Sequence, residues 1–276
     1  MLDSHHHLWT YDPAQYPWIP PGSALARDYL IPQLLENTEA AGVTGTVAVQ
    51  ARQTIGESDW LLSLSDQCDR IKAVVGWVPL ADDDVGRHLE RLARHRKFKA
   101  VRHVVQDEPD DKFILGEAFN RGISQLLDFG LVYDILIFQK HLPPTIEFVD
   151  RHPHQPFVVD HIAKPVIHNG RLEEDWKKGM AALAERDNVT AVKISGMVTE
   201  VTDDELDETT LKNYFDQTLE MFGPRRLCFG TDWPVCLLRI DAYRDWADSV
   251  RSYVAALSEE EQGAILSETC RSAYRL

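Results

Sequence analysis

The sequence alternates short apolar runs with amphipathic helical patterns eight times over its 276 residues. The runs are rich in Val, Ile and Ala: Met1–Leu8, Gly45–Gln50, Ala73–Val78, Ala100–Val105, Leu131–Ile137, Phe157–His161, Ala191–Ser195 and Leu227–Thr231. Their nearly continuous apolar character predicts parallel strands that are buried on both faces. Dividing 276 by eight gives about 34 residues per unit, enough for one strand, one helix and two loops.

The segments between the runs carry apolar residues at three-to-four spacing, which predicts helices. These are Ile31–Ala41, Asp59–Asp69, Val85–Arg96, Glu117–Phe129, Thr145–His152, Glu173–Arg186, Thr209–Phe222 and Tyr243–Leu257. A last helix, Ser258–Ser267, begins at a capping box formed by Ser258 and Glu261. The glycine fingerprints of nucleotide-binding open sheets are absent. We therefore predict an α/β protein whose residues 1–276 form one (β/α)₈ TIM-barrel domain.

The charge balance excludes several classes of partner. The chain has 29 Lys plus Arg against 44 Asp plus Glu, a formal net charge of −15. An acidic surface repels phosphate backbones and anionic lipids, so we expect neither nucleic acid nor membrane as a partner. The first residues show no signal peptide, and the four cysteines lack CxxC spacing, which predicts a cytoplasmic protein with reduced thiols. The sequence leaves a homo-oligomer open.

Reactive side chains of a barrel enzyme lie at the C-terminal ends of its strands. The first predicted strand ends in three consecutive histidines, and alternation along a strand points His5 and His7 to the same side. His161 ends the sixth strand and Asp232 follows the eighth. Imidazoles and a carboxylate can hold a metal ion or polarise a carbonyl group. An aspartate at a strand end, such as Asp160 or Asp232, can also serve only as a helix N-cap.

Five motifs extend from the first strand to the last: Asp3-Ser4-His5-x-His7-x-Trp9, Tyr16-Pro17-Trp18-Ile19, Val101-Arg102-His103, Asp160-His161-x-x-Lys164-Pro165 and Gly230-Thr231-Asp232-Trp233-Pro234. Together they resemble the lactonase-rich branch of the amidohydrolase superfamily, which includes fuconolactonase and rhamnonolactonase types and 2-pyrone-4,6-dicarboxylate lactonases. The resemblance implies a (β/α)₈ fold and a hydrolase of carboxylic ester bonds. It also implies that His5, His7, His161 and Asp232 are the catalytic residues.

The sequence departs from the wider superfamily at two strands. The fourth predicted strand ends in Arg102-His103-Val104 and has no lysine for a bridging carbamate, and the fifth, Tyr133–Ile137, has no histidine. A two-metal site is therefore not expected. The resemblance implies either that no cofactor is required or that one divalent ion, with zinc the best candidate, is bound by His5, His7, His161 and Asp232.

The residues expected around the substrate carry aromatic, amide or carboxylate groups, with a single arginine: Trp9, Gln50, Arg102, His103, Asp134 and Trp233. A dicarboxylate would require several arginines, whereas aromatic faces and amides suit a neutral polyhydroxylated ring. We predict a neutral sugar aldonolactone as the small-molecule substrate, and a role in carbohydrate metabolism. Asp232 would act as general base while the three histidines polarise the carbonyl group.

Three other functions stay open at this point. The same histidines and aspartate could serve a metal-dependent decarboxylase of an unsaturated carboxylic acid. They could also serve a hydrolase of a dicarboxylate lactone. A barrel that only binds a sugar acid or lactone, without turnover, is the non-enzymatic alternative.

Overall fold

The computed structural model describes residues 1–276 and contains one eight-stranded parallel sheet whose strands follow one another in sequence order. The strands are β1 (Leu2–His6), β2 (Gly45–Val49), β3 (Ile71–Gly76), β4 (Phe98–Val104), β5 (Val132–Leu136), β6 (Phe157–Val159), β7 (Val189–Ile194) and β8 (Leu227–Phe229). The segment after β8 returns to β1. There the His7 amide donates to the Trp233 carbonyl at 2.7 Å, and the Asp232 amide donates to the His5 carbonyl at 2.8 Å. These bonds close the sheet into a barrel and confirm the predicted (β/α)₈ fold.

Helices connect consecutive strands on the outside of the barrel. They are α1 (Ile31–Ala40), α2 (Ile55–Gln67), α3 (Val85–Ala93), α4 (Glu117–Leu126), α5 (Leu142–Arg151), α6 (Glu174–Ala184), α7 (Glu208–Phe222) and α8 (Tyr243–Val254), followed by α9 (Glu259–Gly263) and α10 (Thr269–Tyr274). Ser258 and Glu261 form the predicted capping box. The terminal helix predicted over Ser258–Ser267 is present and continues to Tyr274, with a π-helical turn at Ala264–Glu268 between α9 and α10.

All eight predicted strands end one or two residues earlier in the structure, and two of these differences affect the candidate site. Strand β6 stops at Val159 rather than His161, and β8 stops at Phe229 rather than Thr231. In both places the backbone leaves the extended region, since His161 has a φ of 52° and Asp232 a φ of 57°. The departure turns each of these side chains out of the regular alternation of the strand.

The barrel interior is apolar at one end and charged in its middle. At the apolar end, small and branched side chains from the strands pack against Cys270, Ala273 and Tyr274 of α10. The larger core lies between the sheet and the surrounding helices. All four cysteines are buried and free. None of the helices combines the length and the apolar character needed to cross a membrane.

Candidate active site

His5, His7, His161 and Asp232 converge at one end of the barrel, and we call them the ligand cluster. The Nε2 atoms of His5 and His7 are 3.2 Å apart. The Asp232 Oδ1 atom lies 3.3 Å from the His7 Nε2, 3.7 Å from the His5 Nε2 and 3.9 Å from the His161 Nε2. All four side chains are buried. The structure thus brings together the four residues that the sequence proposed as catalytic; their roles stay predictions.

A buried carboxylate, Asp3, fixes the turn that carries Asp232. It accepts a hydrogen bond from the Thr231 amide at 2.9 Å, one from the Thr231 hydroxyl at 2.6 Å and one from the Tyr243 hydroxyl at 2.8 Å. It also accepts the His5 amide at 3.0 Å. Burial raises the pKa of the Asp3 carboxyl to about 6, and these hydrogen bonds counteract the rise. Asp3 therefore links the end of the first strand to the loop after the eighth.

A left-handed turn follows β6. Its residues His161, Ile162, Ala163 and Lys164 have φ angles of 52°, 47°, 60° and 45°. Each such residue with a side chain costs roughly 1–2 kcal/mol relative to the right-handed conformation. The Trp176 indole donates to the Ile162 carbonyl at 2.7 Å and holds the turn in place. As a result His161 and Lys164 both line the same cavity.

His161 is oriented from behind by two residues that follow β7. The Ser195 hydroxyl lies 2.8 Å from the His161 Nδ1, so the Nε2 atom faces Asp232. Gly196 passes beneath the ring with a φ of 66°, and a Cβ atom there would lie 2.6 Å from the His161 Nδ1. Only glycine combines this backbone conformation with so close an approach.

The His7 tautomer and the charge states of His161 and Asp232 suit a metal ion. The His7 Nδ1 lies 2.8 Å from the Val49 carbonyl, an acceptor that keeps the proton on Nδ1 and the lone pair on Nε2. Burial lowers the pKa of His161 to about 4, and burial together with the Lys193 charge lowers the pKa of His5 well below its usual value. Burial alone would raise the pKa of Asp232, but His161 and His7 outweigh it, so the pKa is lowered. Neutral imidazoles and an ionised carboxylate are the metal-binding forms.

The spacing of the ligand atoms also fits a single divalent ion. A tetrahedral ion bound at about 2.0–2.2 Å separates its ligand atoms by about 3.3–3.6 Å. The distances among the His5 Nε2, His7 Nε2 and Asp232 Oδ1 atoms are 3.2, 3.3 and 3.7 Å. His161, whose Nε2 lies 3.9 Å from the same carboxylate oxygen, stands beside this group as a fourth ligand or as a donor to a bound carbonyl group.

Beneath the ligand cluster lie four charged side chains, Arg102, Asp134, Asp160 and Lys193, which we call the ion-pair cluster. The Lys193 ammonium is 2.6 Å from Asp134 and 2.9 Å from Asp160. The Arg102 guanidinium donates to Asp160 at 3.0 Å. All four side chains are buried. The Lys193 Nζ also lies 3.1 Å from the Nδ1 atom of His5, so the two clusters meet at this histidine.

Lys193 disfavours a second ion next to the ligand cluster. His5, Asp160 and His161 form a second group that could bind a metal. The Lys193 ammonium lies between two of these residues, at 2.9 Å from Asp160 and 3.1 Å from His5. Burial lowers the pKa of Lys193, but Asp134 and Asp160 outweigh it and the pKa is raised, so the group stays charged. A second cation would meet this positive charge.

A cavity of about 250 Å³ opens beside the ligand cluster. Trp18, Val235 and Leu238 form part of an apolar wall, and the charged lining residues are Arg102, Asp107, Lys164, Glu200 and Asp232. The Lys164 ammonium lies 3.3 Å from a carboxylate oxygen of Glu200. The other lining cation, Arg102, is paired with Asp160, so both cations of the lining already have a carboxylate partner.

Three predicted substrate-binding residues take part in interactions within the barrel. Arg102 lines the cavity, but its guanidinium is bound to Asp160 and to the Gln50 carbonyl, and its Nη1 atom lies 3.2 Å from the His5 Nε2. The Gln50 amide donates to the Arg102 carbonyl at 3.3 Å. Asp134 accepts from Lys193 and, at 2.7 Å, from the Tyr274 hydroxyl. Gln50 and Asp134 do not line the cavity, so their contact with substrate stays a prediction without support from this geometry.

The other three predicted substrate-binding residues do not line the cavity either. Trp9 packs against Tyr29 and donates to the Arg27 carbonyl at 2.9 Å. The Trp233 ring packs edge-on against Tyr29, with ring centroids 5.1 Å apart. His103 stacks on Phe113 at 5.0 Å, because it follows Arg102 on β4 and consecutive strand residues face opposite sides. Their predicted roles likewise have no support here.

The sequence reasoning gave no role to Lys193, Lys164 or Glu200. Lys193 is a lone lysine between apolar residues of a predicted strand, and this position could have marked it as a buried charge. Lys164 belongs to a motif quoted for the family resemblance. Glu200 closes a short 3₁₀ turn, Met197–Glu200, and nothing in the sequence marks it.

Comparison with known proteins places these features in context. A family model described as amidohydrolase matches residues 2–276. An L-fucono-1,5-lactonase of Burkholderia multivorans is 36% identical, over 100% of this chain and 96% of that protein. An L-rhamnono-gamma-lactonase of Scheffersomyces stipitis is 23% identical, over 86% of each. A crystal structure of a Burkholderia multivorans amidohydrolase with bound zinc superposes with a TM-score of 0.92 at 36% identity, covering 100% of this chain and 99% of that one.

Proposed function

The chain belongs to the amidohydrolase family, and from that premise we propose that it opens a neutral sugar lactone by hydrolysis. The observation that carries the proposal is the convergence of His5, His7, His161 and Asp232 beside the cavity. The similarity to an L-fucono-1,5-lactonase, at 36% identity over the whole chain, makes a 1,5-aldonolactone the first substrate to test.

Asp232 is the proposed general base. Its lowered pKa keeps the carboxylate ionised at neutral pH. It takes a proton from water as the water oxygen bonds to the lactone carbonyl carbon, and it returns that proton to the ring oxygen when the ring C–O bond breaks. The product is a hydroxy acid, which loses its carboxyl proton at neutral pH.

We propose that the divalent ion is zinc, held by His5, His7 and Asp232. Neutral nitrogen ligands with one carboxylate are a donor set that zinc accepts. When bound, zinc polarises the lactone carbonyl and lowers the pKa of a water molecule to about 7. The Ser195 contact fixes the His161 ring with its Nε2 toward this place, where it can donate to the carbonyl oxygen.

The charges of the cavity favour a neutral substrate. Arg102 is paired with Asp160, and Lys164 with Glu200, so the lining presents no unpaired cation to a carboxylate. Hydrolysis of a dicarboxylate lactone and decarboxylation of an aromatic acid both begin with binding an anion. No feature of the cavity favours either over a neutral lactone.

A pH-indicator assay tests the proposal, because ring opening releases one proton for each lactone hydrolysed. Purified protein is supplied with L-fucono-1,5-lactone, L-rhamnono-gamma-lactone and 2-pyrone-4,6-dicarboxylate, and separately with an unsaturated carboxylic acid, with the Asp232→Asn variant as control. We expect hydrolysis of a neutral lactone that the variant lacks. Release of CO₂ from an unsaturated acid, or the absence of turnover with every lactone, would contradict the proposal.

A further inference from the structure

The cavity contains an ion pair that the proposed reaction does not use. Lys164 lies at the end of the left-handed turn after β6, and Glu200 ends the 3₁₀ turn after β7. Their charged atoms are 3.3 Å apart, and the side chains are 16% and 15% exposed. The two turns are also joined by a hydrogen bond from the Ile167 amide to the Glu200 carbonyl at 3.1 Å.

The Lys164 side chain is held on its other face by an aromatic ring. Its Nζ atom lies 5.4 Å from the centroid of Phe138, within the range of a cation–π contact. The ammonium is therefore fixed beside the cavity by Phe138 and Glu200 together. Without Glu200, it would be the one lining cation that lacked a carboxylate partner, because Arg102 keeps Asp160.

Lactone hydrolysis changes the charge of the bound molecule. The substrate is neutral, whereas the product carries a carboxylate on the same carbon skeleton. A fixed ammonium binds a carboxylate strongly in a partly buried site. A cavity that offered a free ammonium would thus retain its product, and retention would slow turnover.

We propose that Glu200 promotes product release by keeping Lys164 paired, so that the cavity offers the product carboxylate no free cation. The inference rests on the proposed lactonase function. Glu200 makes no hydrogen bond or ion pair with the ligand cluster or the ion-pair cluster, and its one ion-pair partner is Lys164. Binding of the acid, which needs no turnover, therefore measures its role apart from the hydrolytic step.

The test compares a lactone with its own ring-opened acid, which share a skeleton and differ in charge. For L-fucono-1,5-lactone and L-fuconate, we measure KM for the lactone, the inhibition constant of the acid, and the Kd of the acid by calorimetry. In Glu200→Gln we expect the inhibition constant and the Kd of the acid to fall at least about tenfold. We expect KM for the lactone to change less than about threefold.

Two further variants distinguish the effect of the ion pair on acid binding from the effect of the overall charge of the cavity. Asp107→Asn removes the same unit of charge from the lining without freeing a cation, and it should change the Kd of the acid less than about threefold. In the double variant Lys164→Met/Glu200→Gln, the Kd should return to within about threefold of wild type. An unchanged Kd in Glu200→Gln, or an equal fall in Asp107→Asn, would overturn the inference.

The outcomes for the inference and for the proposed function can be told apart. A wild-type protein that hydrolyses no neutral lactone contradicts the proposed function, whatever the Kd values are. A wild-type protein that hydrolyses the lactone while Glu200→Gln binds the acid no more tightly contradicts the inference alone.

Discussion

The ligand cluster and the ion-pair cluster are both buried, both polar and joined at His5, yet they differ in what their polar atoms face. In the ion-pair cluster, each charge has an opposite charge within 3.0 Å. In the ligand cluster, three imidazole nitrogens lie 3.3–3.9 Å from one carboxylate oxygen, close to the separation between ligands of one metal ion, and the group borders a cavity. Charges that face each other hold a structure, whereas lone pairs that converge beside a cavity are available for chemistry.

Asp232→Asn tests the ligand cluster and should have the largest effect. The amide keeps the shape of the carboxylate but cannot take a proton from water, so kcat should fall about 10²–10⁴-fold. The free energy of unfolding should fall by no more than about 3 kcal/mol, which leaves the protein folded. Lactone hydrolysis and urea unfolding measure the two quantities, with Asp216→Asn on α7 as control. A folded variant that kept more than about a tenth of the wild-type kcat would remove Asp232 from the mechanism.

Lys193→Met tests the ion-pair cluster, where stability rather than turnover should respond first. Methionine fills much of the same space but leaves Asp134 without a cation and Asp160 with Arg102 alone. Breaking a buried ion pair typically costs about 3–5 kcal/mol. We expect a loss of that size in the free energy of unfolding, measured by denaturant titration.

The matched control for Lys193→Met is Lys212→Met. Lys212 pairs with Asp216 on the surface of α7, at 2.6 Å, with side chains 46% and 44% exposed. An exposed pair of this kind contributes about 0–1 kcal/mol. Equal losses of stability in the two variants would show that burial does not distinguish Lys193.

The fold and the ligand cluster were predictable from sequence for the same reason. A repeating pattern of buried strands fixes the barrel, and the barrel brings the strand ends together, so His5, His7, His161 and Asp232 converge without any knowledge of their local geometry. The terminal helix was predictable from its capping box, whereas the π turn inside it leaves no mark in the apolar spacing.

The rest of the site depends on directions that a sequence pattern does not contain. Alternation on β4 sends His103 outward once Arg102 faces inward. The four residues of the turn after β6 do not favour left-handed backbone angles, so their sequence does not predict this turn. Groups distant in sequence, such as Trp176, hold it in place. Lys193 meets its partners only because β5, β6 and β7 are neighbours in the sheet.

Gly196→Ala tests whether the close approach of Gly196 to the His161 ring matters to the ligand cluster. We expect its effect on turnover to be intermediate. A Cβ atom 2.6 Å from the His161 Nδ1, on a residue with a φ of 66°, forces the ring or the backbone to move. We expect a loss of about 1–3 kcal/mol in stability and a drop in kcat/KM of about tenfold. Gly263→Ala, where an added Cβ has no neighbour within 4 Å, is the control and should lower neither quantity. Normal turnover in Gly196→Ala would mean that His161 needs no fixed position.

Substrate charge gives the smallest expected effect. Because the lining cations are already paired, kcat/KM for L-fucono-1,5-lactone should exceed that for 2-pyrone-4,6-dicarboxylate at least about tenfold, a difference of about 1.4 kcal/mol in transition-state binding. Steady-state kinetics with both compounds measures the ratio. A preference for the dicarboxylate would show that Arg102 or Lys164 leaves its partner to bind substrate.

Zinc titration of metal-free protein, with lactone hydrolysis followed in the same sample, tests the central claim most directly. The account predicts that bound zinc saturates at one ion per chain and that the rate of hydrolysis rises in proportion to occupancy. Two ions per chain would contradict the role assigned to Lys193. An undiminished rate in the metal-free protein would contradict the assignment of the ligand cluster as a zinc site.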